Sequence, residues 1–265
     1  MKQLDIIFAD NHRPDSQCRN FYVDLIASFV HNFNPDNNAG SYFPSIERHI
    51  DMYILKASTE LRNKLLSIRE GGTKIILITA SDTPYTELLM SYSYGKDWRS
   101  FFDLVCCKAR KPGFFATTAY RRPFYRDGIA VPELMGGGTF MEGHWTRVDR
   151  WIRHNSTKPG RIAYIGDSFK SDIIPTKVAT SWDIFAVVLE GKLMHVAACE
   201  HKKARPEKVG WGSFFGEPND PSMYASRLFE LADLTLTDVE ELTLLGVDQE
   251  MPTNKTGNSF TFSPF

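Results

Sequence analysis

The sequence predicts an α/β fold, a parallel sheet flanked by helices. Three observations predict it. Apolar runs of strand length alternate with segments of helical spacing, which is the signature of βαβ units. The runs "KIILIT", "FFDLVCC", "RIAYIG" and "DIFAVV" are apolar nearly throughout, as in strands buried on both faces. The first three each lead into a polar group: Thr79, then Lys111, then Asp167. Right-handed crossovers bring the C-termini of such strands to one sheet edge, where ligands of these folds bind.

Taken in chain order, "NFYVDLIASFVHNFN" (20–34) spaces Phe21, Leu25, Ile26, Phe29, Val30 and Phe33 as one face of a helix. The segment "NPDNNAGSYFP" reads as a loop. A helix is expected through "ASTELRNKLLSIREGG", capped by Ser58 or Thr59 and stopped by Gly71 and Gly72. The strand 74–79 leads into a helix through "TPYTELLMSYSYG", with Ser81 or Thr83 as its cap. A strand at 101–109 follows, then a long turn-rich excursion from Lys111 to Gly138 in which "AYRRPFYRD" reads as a solvated hairpin. "HWTRVDRWIRH" is a helix with Val148, Trp151 and Ile152 on one face. "RIAYIGD" is the next strand, "SDIIPTKVAT" a short helix and "DIFAVVLEG" (183–191) a strand. All four strands are expected in one parallel sheet. After Gly191 the pattern weakens: "CEHKKARPEK" reads as a charged surface loop, and "PSMYASRLFELADL" and "LTDVEELTLLG" as helices. The C-terminal stretch has no periodicity and reads as a loose tail.

Bulk properties narrow the function. The 265 residues are 42% hydrophobic and 24% charged with a formal net charge of -1, ordinary for a globular protein. That balance argues against nucleic acid or an anionic membrane as partner. No apolar run approaches the ~18 residues of a membrane span. The opening "MKQLDIIFADNHRPDS" is broken by Asp5 and Asp10 too early for a signal peptide, so a cytoplasmic location is expected. Cys18, Cys106, Cys107 and Cys199 show no metal-site spacing and read as thiols in a reducing compartment.

The strand ends carry the chemistry. A hydroxyl, an ammonium and two carboxylates at one edge suit a phosphate and Mg²⁺ site. Thr79, with Ser81 and nearby N–H groups, would bond phosphate oxygens. Lys111 would neutralise phosphate as a point charge. Asp167 and Asp172 would hold Mg²⁺, one binding it directly and the other orienting a bound water. Arg121 and Arg122, set among aromatic residues, are weaker candidates for substrate contacts. Taken singly, each of these residues has an ordinary structural role, as cap, turn or solvated charge; their types and order together make the case.

That order resembles a known pattern. "KIILITAS", "FFDLVCCKARKPGFF" and "YIGDSFKSDI" resemble the second, third and fourth motifs of the haloacid dehalogenase-like (HAD-like) phosphohydrolases. "ARKPGFF", "IGDSFKSDI", "SWDIFAVVLE", "GSYFPSI" and "WGSFFGEPNDPSMYASRLFELADL" look like the cytosolic purine 5'-nucleotidase family, including the 5'-nucleotidase domain-containing proteins, from about Phe21 to Gly246. The resemblance implies a Rossmann-like sheet with a helical cap, and Mg²⁺-dependent removal of phosphate from nucleoside monophosphates. It assigns phosphate contact to Thr79 and Lys111, Mg²⁺ to Asp167, and support of the metal's water to Asp172. Ala80 stands where the family usually has Asn. The partner implied is a small phosphomonoester, a nucleotide above all, and a homo-oligomer is compatible with it. The domains expected are a residual cap with its connecting helix (1–70), a HAD-like core (71–250) and the tail (251–265).

One part of the family pattern is missing. The resemblance calls for a strand ending DxDx[TV], whose first Asp attacks phosphorus and whose second is the general acid and base. No such motif occurs in these 265 residues, and Asp10 and His12 in "LDIIFADNHRP" read as loop residues. Two expectations follow: a truncated chain with impaired or no hydrolysis, or a non-catalytic relative acting as a binding or regulatory module. In either, the two strands flanking the missing one are left unpaired.

Overall fold

The computed structural model describes residues 15–32, 42–116, 122–156, 160–189, 216–217, 220–244, 251–252 and 259–260. Asp10, His12, Arg121 and the charged loop after Cys199 lie outside them. The chain divides into two units, Met1–Leu55 and Lys56–Phe265.

In the first unit, helix α1 (Asp15–Asn32) begins earlier than its apolar spacing suggests. Its Val23, Ile26 and Phe29 are all exposed. Short helices α2 (Tyr42–Arg48) and α3 (Ile50–Tyr53) follow, with Ile46 buried.

The second unit is α/β. Helix α4 (Thr59–Glu70) starts where expected, because the Ser58 side chain accepts the Leu61 N–H at 3.0 Å. Strand β1 (Ile76–Ile78) pairs in parallel with β2 (Leu104–Cys107), and helix α5 (Thr83–Tyr94) makes the crossover. The cap of α5 is Asp82, not Ser81 or Thr83: its extended backbone lets the carboxylate accept the Tyr85 N–H at 3.0 Å. The strand expected at 101–109 is shorter because Trp98–Phe101 winds into a 3₁₀ turn. The long excursion contains the expected hairpin, β3 (Phe124–Arg126) and β4 (Ile129–Val131). Asp127 and Gly128 form its two-residue turn, both with positive φ (51° and 77°), the type I′ conformation that matches strand twist. Beyond it lies an unforeseen strand, β5 (Gly138–Glu142), parallel to β2 and antiparallel to β3.

Helix α6 (Trp145–Asn155) buries Val148 and Trp151. Strand β6 (Ala163–Gly166) leads through a π-helical turn, Phe169–Ile173, into α7 (Ile174–Ala179) and then β7 (Asp183–Val187). Near the end, the two-residue strands β8 (Gly216–Glu217) and β9 (Asp220–Pro221) pair antiparallel. Helix α8 (Met223–Leu231) stops before β10 (Leu234–Leu236), a strand parallel to β7 where helix was expected. The segment expected as a last helix is a 3₁₀ turn, Val239–Leu244. Within the tail, β11 (Met251–Pro252) pairs with β12 (Ser259–Phe260).

The single parallel sheet expected from the sequence is two sheets among the described residues: β1-β2-β5-β3-β4, which is mixed, and the parallel β10-β7-β6. The physical reason is that β1 and β6 each have a partner on one side only, so each ends its own sheet. β2 is buried along its whole length, whereas β1 is half-buried and Ile165 of β6 is exposed.

Side chains join what backbone pairing does not. Leu61 and Leu65 of α4 pack with Phe185, Leu234 and Leu236, while Leu65 and Leu66 pack with Leu77, Val105 and Phe101. On the other face, Ile76, Ile78, Leu104 and Cys106 share an aromatic cluster with Phe114, Phe115, Tyr164 and Trp182. Phe115 meets Tyr164 edge-on at 5.2 Å and Trp182 at 6.2 Å, a geometry that adds to the area each ring buries.

His144 caps α6 in an unusual way. Its Nε2 lies 2.9 Å from the Ala116 carbonyl oxygen, which can only accept, so Nε2 carries the proton. The bare Nδ1 then accepts from the Thr146 hydroxyl at 2.9 Å and from the Thr146 N–H at 3.4 Å. Burial lowers the His144 pKa and the nearby Arg122 charge lowers it further, against the opposing bond to Ala116. A depressed folded-state pKa means the stabilisation is complete above the unfolded value of about 6.5 and is lost as pH falls through the folded one. Thermal melts from pH 8 to pH 5 should therefore show an acid-side loss of about 1 kcal/mol, the scale of one cap. The variant His144→Asn, which caps without titrating, should lack this step; equal acid sensitivity in both proteins would place the titrating group elsewhere.

Candidate functional site

Three loops meet at the C-terminal ends of β1, β2 and β6. The first two are joined by backbone bonds: the Thr79 N–H donates to Cys106 O at 2.9 Å, and the Ala109 N–H donates to Thr79 O at 2.9 Å. The Lys108 N–H also donates to Ser81 O at 2.6 Å. The Thr79 hydroxyl oxygen accepts the Ser81 N–H at 3.2 Å, so its own O–H remains available as a donor. Thr79 and Ser81 are half-buried.

Lys111 reaches from the β2 loop to the β6 loop. Its Nζ lies 2.7 Å from Asp172 Oδ1 and 3.4 Å from the Tyr164 hydroxyl. This ion pair is well shielded, with side-chain exposures of 14% for Lys111 and 2% for Asp172. Asp172 is otherwise satisfied: Oδ1 also accepts the Tyr164 O–H at 2.6 Å, and Oδ2 accepts the Ser168 N–H at 3.2 Å. Burial, reinforced by the Asp172 charge, drives the Tyr164 phenol pKa upward, so it stays a donor.

The turn after β6 explains this placement. Phe169–Ile173 is wound wider than an α-helix, a form often seen at functional sites. Ser168 fastens the turn through its hydroxyl, which accepts the Ser171 N–H at 3.2 Å. Gly166 is required for close approach: a Cβ there would stand 2.6 Å from the Asp172 Cβ.

Asp167, the last of the sequence candidates on this edge, is exposed and makes no hydrogen bond among the described residues. The structure thus joins Lys111 to Asp172 directly, while Asp167 lies one residue beyond β6 with a free carboxylate. Among the described residues no group of three or more His, Cys, Asp and Glu gathers as a metal cage. The donor set still fits Mg²⁺, which keeps several waters and needs only one or two carboxylates beside phosphate oxygens. Asp167 is the carboxylate open to it, since both Asp172 oxygens are occupied. Arg122 is half-buried beside His144 and Gly113.

Sequence reasoning passed over Tyr164 and His144. Tyr164 sits inside an apolar run and reads as core; its pairing with Asp172 eight residues on depends on the turn between them. His144 opens a helix, where Ser, Thr, Asp and Asn are the usual signals.

The chain is similar to known proteins. The profile of the 5' nucleotidase family matches residues 19–205. The chain is 27% identical to 5'-nucleotidase domain-containing protein 1 of Homo sapiens, over 91% of this chain and 61% of that protein. Identity to the Bos taurus protein of the same name is 28% over the same shares. Identity to 5'-nucleotidase domain-containing protein 2 of Homo sapiens is 27% over 57% of this chain and 29% of that protein. The chain spans about three fifths of the length of the first two relatives.

Proposed function

Because the chain belongs to the 5' nucleotidase family, we propose that its site at the strand ends binds the phosphate of a nucleoside monophosphate together with Mg²⁺, in the service of phosphomonoester hydrolysis. The observation that supports this reading is the shielded Lys111–Asp172 pair beside the free carboxylate of Asp167.

Each residue has a role its contacts allow. The Lys111 ammonium has three N–H donors; Asp172 and Tyr164 account for two directions, leaving one for a phosphate oxygen. Asp172 fixes the direction of Lys111. The Thr79 hydroxyl donates to a second oxygen, and Ser81 holds that hydroxyl in place through its N–H. Asp167 holds Mg²⁺. When bound, the ion supplies positive charge that draws the phosphate oxygens and offsets charge developing on them. The attacking carboxylate has no counterpart in these 265 residues, which contain no DxDx[TV] sequence. That absence favours a second reading, a module that binds phosphate without turning it over. In either case we place the chain in the cytoplasm, a reading supported by the free, buried thiols of Cys106 and Cys107. Among the described residues no helix is long and apolar enough to cross a membrane.

Metal titration tests the proposal. One open carboxylate gives weak Mg²⁺ affinity, roughly in the millimolar range. Calorimetry should show that inorganic phosphate tightens Mg²⁺ binding and that Asp167→Asn abolishes it. Unchanged binding in the mutant, or no binding in the parent chain, would count against the assignment.

A further inference from the structure

We infer that Arg122 is an anion-binding residue of this site, taking oxygens of the ligand's phosphate group; the inference rests on the phosphate-binding role proposed above.

The topology brings Arg122 to the right edge. β3 runs antiparallel to β5 with Phe124 opposite Glu142, and β5 runs parallel to β2. The residues just before β3 therefore lie at the end of the sheet where β2 delivers Lys111. The side chain lies close to the Lys111 loop: Nη1 and Nη2 are each 3.6 Å from the point where a Cβ on Gly113 would stand.

What sets Arg122 apart is the lack of a partner. Its Nη1 is buried with no hydrogen-bond acceptor. Two other arginines beside this sheet have partners, Arg110 in Glu142 at 2.6 Å and Arg147 in the carbonyls of Val131 and Pro132, while Arg126 of β3 is exposed to water. A buried guanidinium N–H without an acceptor is costly, and folded proteins rarely leave one. The neighbouring ring is no acceptor for it. His144 uses both nitrogens on Ala116 and Thr146, and the Arg122 charge disfavours its protonation. Lys111, in the loop beside it, already has the Asp172 carboxylate. Arg122 thus presents an uncompensated charge and a planar fork of donors, the geometry that takes two oxygens of a phosphate at once.

The test is calorimetric titration of the parent chain, Arg122→Met and Arg122→Lys with inorganic phosphate and with adenosine 5'-monophosphate, all in Mg²⁺. Arg122→Met should weaken both ligands alike by about tenfold or more, the scale of a charge-assisted contact. Arg122→Lys should fall between, since it keeps the charge and loses the fork. Equal affinity in Arg122→Met and the parent would overturn the inference and leave the proposed function standing. So would weakening confined to the nucleotide, because the contact would then lie off the phosphate. Absence of binding in the parent chain would overturn both. Should Arg122→Met fail to fold, nitrogen NMR of the parent chain decides. The guanidinium signal missing from Arg122→Lys should move on adding inorganic phosphate, and a stationary signal would overturn the inference.

Discussion

Phosphate release from nucleoside monophosphates by the purified 265-residue chain is expected to run on the order of 10⁴- to 10⁶-fold below that of a longer polypeptide in which a strand carrying DxDx[TV] and its cap precede the same residues. The expectation rests on what the site holds and lacks. Lys111, Thr79 and a metal at Asp167 can stabilise charge on a phosphoryl group. None of them can attack phosphorus and leave as a stable carboxylate. Removing a nucleophile together with its acid/base partner typically costs rates of this size in hydrolases that work through a covalent intermediate. The measurement is phosphate release by the short chain beside its Asp167→Asn variant, with a chromogenic ester as a second substrate. Robust turnover that the variant loses would mean a nucleophile lies within these residues, and Asp10 would be the first to replace.

Lys111→Met should destabilise the protein by roughly 3 kcal/mol, because it strands a buried carboxylate. Asp172 is 1% exposed, and without Lys111 it keeps only the Tyr164 O–H and the Ser168 N–H. The loss should lower the melting temperature by about 5–10 °C in a protein of this size. The double variant Lys111→Met, Asp172→Leu should recover much of it, since replacing both members of a buried pair with apolar groups is often neutral. Chemical denaturation of the three proteins checks this. A loss below about 1 kcal/mol in the single variant would mean that water reaches the pair and screens it.

The strand-end logic could be read in the sequence because each polar group follows an apolar run whose direction is fixed by its crossover. Thr79 and Lys111 need nothing more than that, whereas Asp172 also needs the turn after β6. β5 was hidden because "GGGTFMEG" puts three glycines before a run of only three residues with strand propensity. β10 was hidden for a different reason: "LFELADLTL" continues the helical spacing of α8 past Leu231, and the break comes only from where Asp233 is bonded. There the Asp233 carboxylate accepts the Ile184 N–H at 2.9 Å and its own N–H donates to Ile184 O at 2.8 Å, which sets the strand beside β7. Such pairing over a long separation leaves no local trace. The same holds for Arg122. Its composition suggested a solvated hairpin, and β3 and β4 do form one, but the arginine stands before the hairpin with one nitrogen buried.

The aromatic cluster behind Lys111 connects the proposed site to the Trp182 indole. The Tyr164 ring lies 6.3 Å from the Trp182 indole, whose Nε1–H is bonded to Asp149 at 2.9 Å and whose other aromatic neighbours include Phe115 at 6.2 Å and Trp145 at 5.8 Å. Tyr164 is in turn bonded to the carboxylate that holds Lys111. Any anion that draws the Lys111 ammonium from Asp172 changes the charge beside Tyr164, two contacts from a buried indole. If the proposed phosphate ligand moves Lys111 in this way, intrinsic tryptophan emission is expected to change as it binds.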